Sequence, residues 1–340
     1  MSNRDALLLC PHLTLVPPRM KLYKIYSKKV MSLLLEYTYK VEQFSIDEAW
    51  MDVTDLINYK TNAKDIAYTI KDKIKKEIGV TVSVGISYNK VLAKLASDIA
   101  SRDSIYEINE KIFKNIIWKR PVKDIIGVGK KTNEKLNSMN LFTIEDLAKS
   151  DVKLIKAVLN KHGETLWKYA NGIDDSVVNY EQTFPKSIGN SHTAIKDICD
   201  WDDAKGILLM ISEQVGNRLR RYNARASTIS ITIKATDFRS FTRQKKCQGY
   251  LVTTKNIYNE ALNLLVENWN KEYSIRLLGI SLSGIQYYEE QLSFNESLTE
   301  NDLKEESIDN VLDSINNKYG KTLISRAASL SPHKLYTKDN

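Results

Sequence analysis

A chain of 340 residues is longer than one hydrophobic core usually serves, so about two to four compact units are expected. Its 42% apolar and 27% charged residues give the balance of a globular protein, and no apolar run approaches the roughly 20 residues that cross a bilayer. A net charge of +8 favours a polyanionic partner, while three separated cysteines and four scattered histidines argue against a zinc or disulfide framework. The opening MSNRDALLLCPHL has too short an apolar run for a signal peptide and no small-residue cleavage site, which predicts a cytoplasmic protein.

Residues 20 to 40 read as a helix and 41 to 54 as paired strands. Within them, VEQFSIDEAWMDVT sets Asp47 beside Glu48. Neighbours on a regular strand point to opposite faces, so both acids reach one site only if SIDE bends at a turn or bulge. Adjacent half-buried carboxylates repel unless a cation compensates, and a hard divalent ion such as Mg²⁺ suits an all-oxygen donor set. A surface hairpin with two solvated acids is the alternative. Asp52, after Trp50 and Met51, reads as a structural or solvated acid.

Residues 62 to 78 predict an amphipathic helix with Ile66, Ile70 and Ile74 on one face, and VTVSVGIS a half-buried strand. NKVLAKLASDIAS predicts a helix capped by Asn89, with Val91, Leu92, Leu95 and Ile99 at core spacing. From about 105 to 175 come short helices joined by tight turns. There GVGKKTNEKL has the form of a helix-hairpin-helix: Gly127 and Gly129 let the backbone approach a phosphate, and Lys130 and Lys131 add charge. An ordinary helix–helix turn is the alternative. A hairpin of this kind grips a nucleic-acid backbone without reading bases.

After the linker NYEQTFPKSIGN, an Arg-rich helix (203 to 222) leads into the strands STISITIKATDF and IRLLGISLSGI, with the helix NIYNEALNLLVENW between them, a small α+β module. From Lys205 to Tyr250 ten basic residues stand against two acids, and from Gln286 to Asp313 nine acids stand against one lysine. Arg218, Arg220, Arg221 and Arg225 surround a helix end, while Arg239, Arg243, Lys245 and Lys246 follow a strand. Phosphate contact explains such clustering, although Arg220 and Arg221 cannot face the same way and some of these side chains are solvated. Tyr222, Phe238 and Phe241 are expected in the core or its rim.

The ordered series FSIDEAWMDVT, VTVSVGISYNKVLAKLASDIAS, PVKDIIGVGKKTNEKLNSMNLFTIEDLA, PKSIGNSHT and the Arg-rich module resembles the Y-family, or translesion, DNA polymerases, most closely the UmuC-like branch, up to about residue 290. The resemblance implies a multidomain α+β fold. Its parts are a remnant of the fingers (1–19), a partial polymerase palm of mixed sheet and helices (20–108) and a helical thumb with the helix-hairpin-helix (109–175). A linker (176–188), an α+β little-finger domain (189–288) and a C-terminal tail (289–340) follow.

It also implies nucleotidyl transfer at a two-ion Mg²⁺ site, with Asp47 and Glu48 as catalytic metal ligands and Phe44 and Ser45 shaping the strand beside them. Lys90 and Lys94 would meet the incoming deoxynucleoside triphosphate. Where relatives carry a Lys-Pro pair that helps hold the triphosphate, this chain has Ser101 and Arg102, and Arg102 would be the substitute contact. Primer–template DNA would be held by Gly127, Gly129, Lys130, Lys131, Arg218, Arg221, Arg225, Arg239 and Arg243. The family's first palm strand, with its aspartate, and most of its fingers have no counterpart here, so the ion site is expected to be incomplete and a sheet edge open.

Two readings follow: a translesion polymerase whose N-terminal part is encoded separately or missed, or a non-catalytic protein that occupies primer–template junctions. EQLSFNES, with Gln291, Leu292 and Phe294, resembles the peptide by which bacterial polymerases dock on the sliding clamp; an acidic disordered linker is the alternative. SIDNVLDSINNKYGKTLISRAASL has helical periodicity and no assigned role.

Overall fold

The computed structural model describes residues 2–181, 184–287 and 300–320, together with Ile324 and Arg326. The chain divides into two compact units, Met1–Gln182 and Thr183–Asn340, and the division falls within the stretch read as a linker.

In the first unit, Asn3–Leu9 (α1) starts at a capping box between Ser2 and Asp5, and Met20–Leu35 (α2) follows. Val41–Gln43 (β1) and Ala49–Met51 (β2) form an antiparallel hairpin with Val41 opposite Met51 and Gln43 opposite Ala49. Ala63–Glu77 (α3) begins where Asn62 accepts the Asp65 N–H and Asp65 accepts the Asn62 N–H in return. Its buried stripe Ile66, Ile70 and Ile74 meets Leu33 and Leu34 of α2, forming one apolar cluster.

Val84–Ile86 (β3) pairs in parallel with Ile105–Glu107 (β4), and Lys90–Ile99 (α4) makes the crossover between them. Asn89 caps α4 by accepting the Leu92 N–H at 3.0 Å and ties it to the rest of the unit by donating to Gly172 O at 2.9 Å. Glu110–Ile112 (α5) runs into a π-helical turn, Phe113–Ile117. Lys130–Ser138 (α6), Ile144–Lys149 (α7) and Val152–Ala170 (α8) complete the unit. Leu92 and Leu95 of α4 join Ile117, Leu136, Leu147 and Leu166 in a second cluster.

Two expectations change here. The predicted strand 80–87 pairs only over Val84–Ile86, and the expected mixed sheet is two separate two-stranded sheets among the described residues. A β pattern becomes a ladder only beside a partner. Val80 and Val82 lack one and pack instead against the α2–α3 cluster.

The second unit is a four-stranded antiparallel sheet of order β5-β8-β6-β7, made of Ser187–Ile198 (β5), Ala224–Ala235 (β6), Ser240–Leu251 (β7) and Ile275–Tyr287 (β8). Trp201–Arg221 (α9) and Thr254–Asn268 (α10) cover one face, and Ile207, Ile211, Val215, Ile229, Ile231 and Ile257 lie in the shared core. The strand β6 shows why: Ile229, Ile231 and Ile233 are buried, while the alternate residues Ser230, Thr232 and Lys234 are half-buried. The edge strand β7 had no apolar alternation to announce it, because its side chains are mostly polar or charged and exposed.

The acidic tail also folds. Glu300–Tyr319 (α11) sets Asp309 and Asp313 one turn apart against Arg220 of α9, at 2.9 Å and 2.8 Å. Asp309 is 1% exposed and also accepts the Thr254 N–H at 2.7 Å and an Arg326 N–H at 2.8 Å. Gln291, Leu292 and Phe294 lie outside the described residues.

Candidate active site and nucleic-acid surface

The hairpin answers the question its acids raise. Between β1 and β2 the chain bends: the Phe44 and Ser45 N–H groups both bond Glu48 O, at 3.0 and 3.2 Å, and close the loop. The Ser45 hydroxyl donates to Asp47 Oδ1 at 2.6 Å and lies 3.5 Å from Glu48 Oε2. One hydroxyl thus sits within reach of both carboxylates, which a regular strand would have sent to opposite faces. Asp47 and Glu48 also border an apolar hollow of about 250 Å³, walled by Met51, Val84, Ile86 and Lys94 among others.

The helix α4 faces this bend with one polar stripe, Lys90, Lys94 and Asp98. The Lys90 ammonium bonds Glu42 Oε2 at 2.6 Å, lies 3.4 Å from Val177 O and sits over the Trp50 ring, 4.4 Å from its centre. Trp50 returns an indole N–H bond to Lys90 O at 3.0 Å and packs on Phe44. Lys90, read from the resemblance as a nucleotide contact, is therefore tied into the joint between helix and hairpin. One turn later the Lys94 ammonium lies 2.9 Å from Glu48 Oε1 and also pairs with Asp98. Burial pulls the Lys94 pKa down, but its bonds to Asp98 and Glu48 outweigh that and hold it above the ordinary lysine value.

Arg102 is exposed in the turn after α4 and does not line the hollow. Beside it Asp103 takes a left-handed φ of 58° and is held by Lys71 and Lys75. Asp52 is structural: it accepts the Thr54 N–H at 2.9 Å, and the Thr54 side chain first, then that N–H, hold its pKa below the usual carboxylate range.

In the helical section, Gly127 has φ +91°, and its carbonyl lies 3.2 Å from His162 Nε2 of α8. Gly129 occupies the N-cap of α6, where no side chain bonds the first-turn N–H groups, and a Cβ there would meet nothing within 4 Å. Lys130 and Lys131 are exposed at the start of that helix. The turn has the open, donor-rich geometry that an anion meets at a helix N-terminus.

In the second unit the arginines scatter. Arg225 stands over the Tyr250 ring at 3.8 Å and bonds Gln286 at 3.1 Å. Arg218 donates to Gly189 O at 2.7 Å, and Arg221, at the end of α9, bonds Asn317 of α11. Arg243 and Lys245 turn toward α10, to Asn268 and Glu260. The register pairs Thr242 with Thr232, Gln244 with Ser230 and Lys246 with Thr228, so these β7 residues share the uncovered face with Lys234. Arg239 pairs with Asp237 in the turn between β6 and β7. Of the five arginines named from sequence, Arg218, Arg221 and Arg243 are tied to the helix-covered side or the sheet edge. Lys234 was not singled out from sequence, although period-two counting from the buried isoleucines finds it, and the face that Lys246 takes follows only from the β6–β7 register. Phe238 and Tyr222, expected in the core or its rim, are 65% and 44% exposed.

Comparison with known proteins places this architecture. Residues 1–98 match the impB/mucB/samB family model, 185–295 that family's C-terminal domain, and 123–174 a model described as the thumb domain of DNA polymerase-iota. The chain belongs to this family, the Y-family DNA polymerases. It is 38% identical over 322 residues to DNA polymerase IV of Clostridium acetobutylicum, covering 94% of this chain and 80% of that protein. With DNA polymerase IV of Clostridium kluyveri it shares 39% over 343 residues, covering 98% and 85%. Among solved structures, a Y-family polymerase chimera of Dbh and Dpo4 superposes with a TM-score of 0.72 at 25% identity, covering 85% of this chain and 83% of that one. An insertion ternary complex of Dbh DNA polymerase shares the fold, with a TM-score of 0.57 at 23% identity and coverage of 85% and 83%.

Proposed function

We propose that this chain is a translesion DNA polymerase that acts on primer–template DNA with deoxynucleoside triphosphates at the Asp47–Glu48 bend. The observation that carries this reading is the convergence of the two carboxylates on the Ser45 hydroxyl, within a chain of this family. The relatives named above are DNA polymerase IV proteins, which favours that group over the UmuC-like branch. The units correspond in this reading to palm (20–108) and thumb (109–175), then, after the linker, little finger (189–288) and tail.

Asp47 and Glu48 form an all-oxygen donor pair that a divalent ion takes together with water and phosphate oxygens. Among the described residues no group of three His, Cys, Asp or Glu side chains forms a metal cluster. In this reading the pair holds one ion, and the two-ion arrangement that the family resemblance implies needs a further bridging carboxylate. When bound, such an ion supplies charge stabilisation to phosphoryl oxygens. The chain's own part is to hold the acceptors together through Ser45, to pair Glu48 with Lys94, and to set both acids in the wall of the hollow. Phosphate contact falls to the Gly127–Lys131 turn and, on the uncovered sheet face, to Arg225, Lys234 and Lys246; Arg102 remains a candidate for the triphosphate.

A second reading, for a bend that carries two acids among the described residues, is a primer–template binder without turnover. Fluorescence anisotropy with primed DNA, followed by primer extension with Mg²⁺, separates them. Primed DNA is expected to bind, with affinity falling at least 100-fold between roughly 50 and 200 mM salt. Extension by the 340-residue chain is expected to be slow, and Asp47→Ala abolishes whatever remains. No binding at low salt would remove the DNA assignment; binding with no extension under any condition would leave the second reading. Replacing Lys130 and Lys131 by alanine should weaken binding equally for all sequences and lower the salt slope by about 2.

A further inference from the structure

Lys94 has two acid partners, and only one of them belongs to the bend. Its ammonium lies 2.9 Å from Glu48 Oε1 and pairs with Asp98 one turn along its own helix; the Lys94 side chain is 15% exposed, that of Asp98 52%. A carboxylate placed to receive a divalent ion is thus already held by a largely buried cation. The two cations repel if both stay on Glu48, and a buried ammonium left without a partner is costly. Asp98 supplies the second berth at the i,i+4 spacing where helix side chains meet. Lys90 cannot take part, because Glu42, Val177 O and the Trp50 face hold it.

We infer that Lys94 is a positioning residue that holds Glu48 beside Asp47 until a divalent ion arrives and is then left on Asp98 alone, so that Asp98 sets how readily Glu48 is released. The inference rests on the reading of Asp47 and Glu48 as ion ligands. It makes Lys94 a competitor of the ion and Asp98 its helper, although Asp98 does not touch the ion.

Binding of Mn²⁺ alone to the full chain, followed by electron paramagnetic resonance, tests this without turnover. Lys94→Met should tighten Mn²⁺ binding by about tenfold, since a positive charge leaves the ligand carboxylate. Lys94→Arg should keep the original affinity within about threefold, because charge and reach are retained. Asp98→Asn should weaken binding by about threefold, and should have no effect when Lys94 is already methionine, because Asp98 acts through Lys94. Weaker or unchanged binding in Lys94→Met overturns the inference, as does an Asp98→Asn effect that survives in the double variant. Should Lys94→Met fail to fold, unchanged binding in Asp98→Asn alone overturns it. If Glu48→Gln leaves Mn²⁺ binding unaltered, the ion-ligand reading itself falls and the inference with it, an outcome distinct from the others.

Discussion

Gly85→Ala is expected to destabilise the first unit by about 3 kcal/mol, the upper part of the range for overpacking. An added Cβ would lie 2.0 Å from Ala93 O, 2.4 Å from Ser97 N and 2.9 Å from Ala96 Cβ. The first two are backbone atoms of α4 and cannot rotate away. The helix cannot retreat freely either, because Asn89 ties its start to Gly172 O and Trp50 ties it to the hairpin. The substitution therefore strains both the β3–α4 contact and the placement of Lys94 against Glu48. A urea titration reads the loss as a lower midpoint with an unchanged slope. Gly249→Ala, where a Cβ meets nothing within 4 Å, is the control and should shift stability by less than about 0.5 kcal/mol. Equal midpoints for the two variants would show that α4 does not lie on β3 as described.

Asp309→Ala should cost the second unit about 3 kcal/mol or more, the usual result of removing one partner of a buried ion pair. It leaves Arg220, 9% exposed, with Asp313 as its one carboxylate partner among the described residues, and strips the Thr254 N–H of its acceptor. Because the pair is buried, added salt should change this loss little, unlike that of a surface bridge. The double variant Arg220→Met with Asp309→Leu should recover only the part of the loss that comes from the unpaired Arg220, because the Thr254 N–H still lacks its acceptor. Thermal melts of the parent, the Asp309→Ala variant and the double variant test this. An Asp309→Ala melt that matches the parent would mean that α11 does not dock on α9 and α10.

The helices α3 and α4 are legible in the sequence because each carries its own start signal and buried stripe. Asn62 with Asp65 announces α3, Asn89 announces α4, and their isoleucines and leucines recur at helical spacing. The acid pair is legible for a different reason: two adjacent carboxylates in an alternating stretch cannot share a site on a straight strand, so their joint use demands a bend. Pairing is what local sequence does not record. VTVS alternates like its neighbours yet gains no ladder over Val80–Val82, while β7 gains one without alternating.

Charge shows the division most clearly. The amino-acid sequence by itself determined that ten basic residues cluster from Lys205 to Tyr250 and that an acidic stretch follows. Only the tertiary structure decided which of those cations meet solvent and which meet a carboxylate. Arg220 and Asp309 lie 89 positions apart and become partners only when α11 docks, and strand register alone separates Lys246 from Lys245. Local spacing sets the face of a helix or strand, because backbone geometry repeats every few residues. What that face then touches depends on elements far along the chain, and no local period records them.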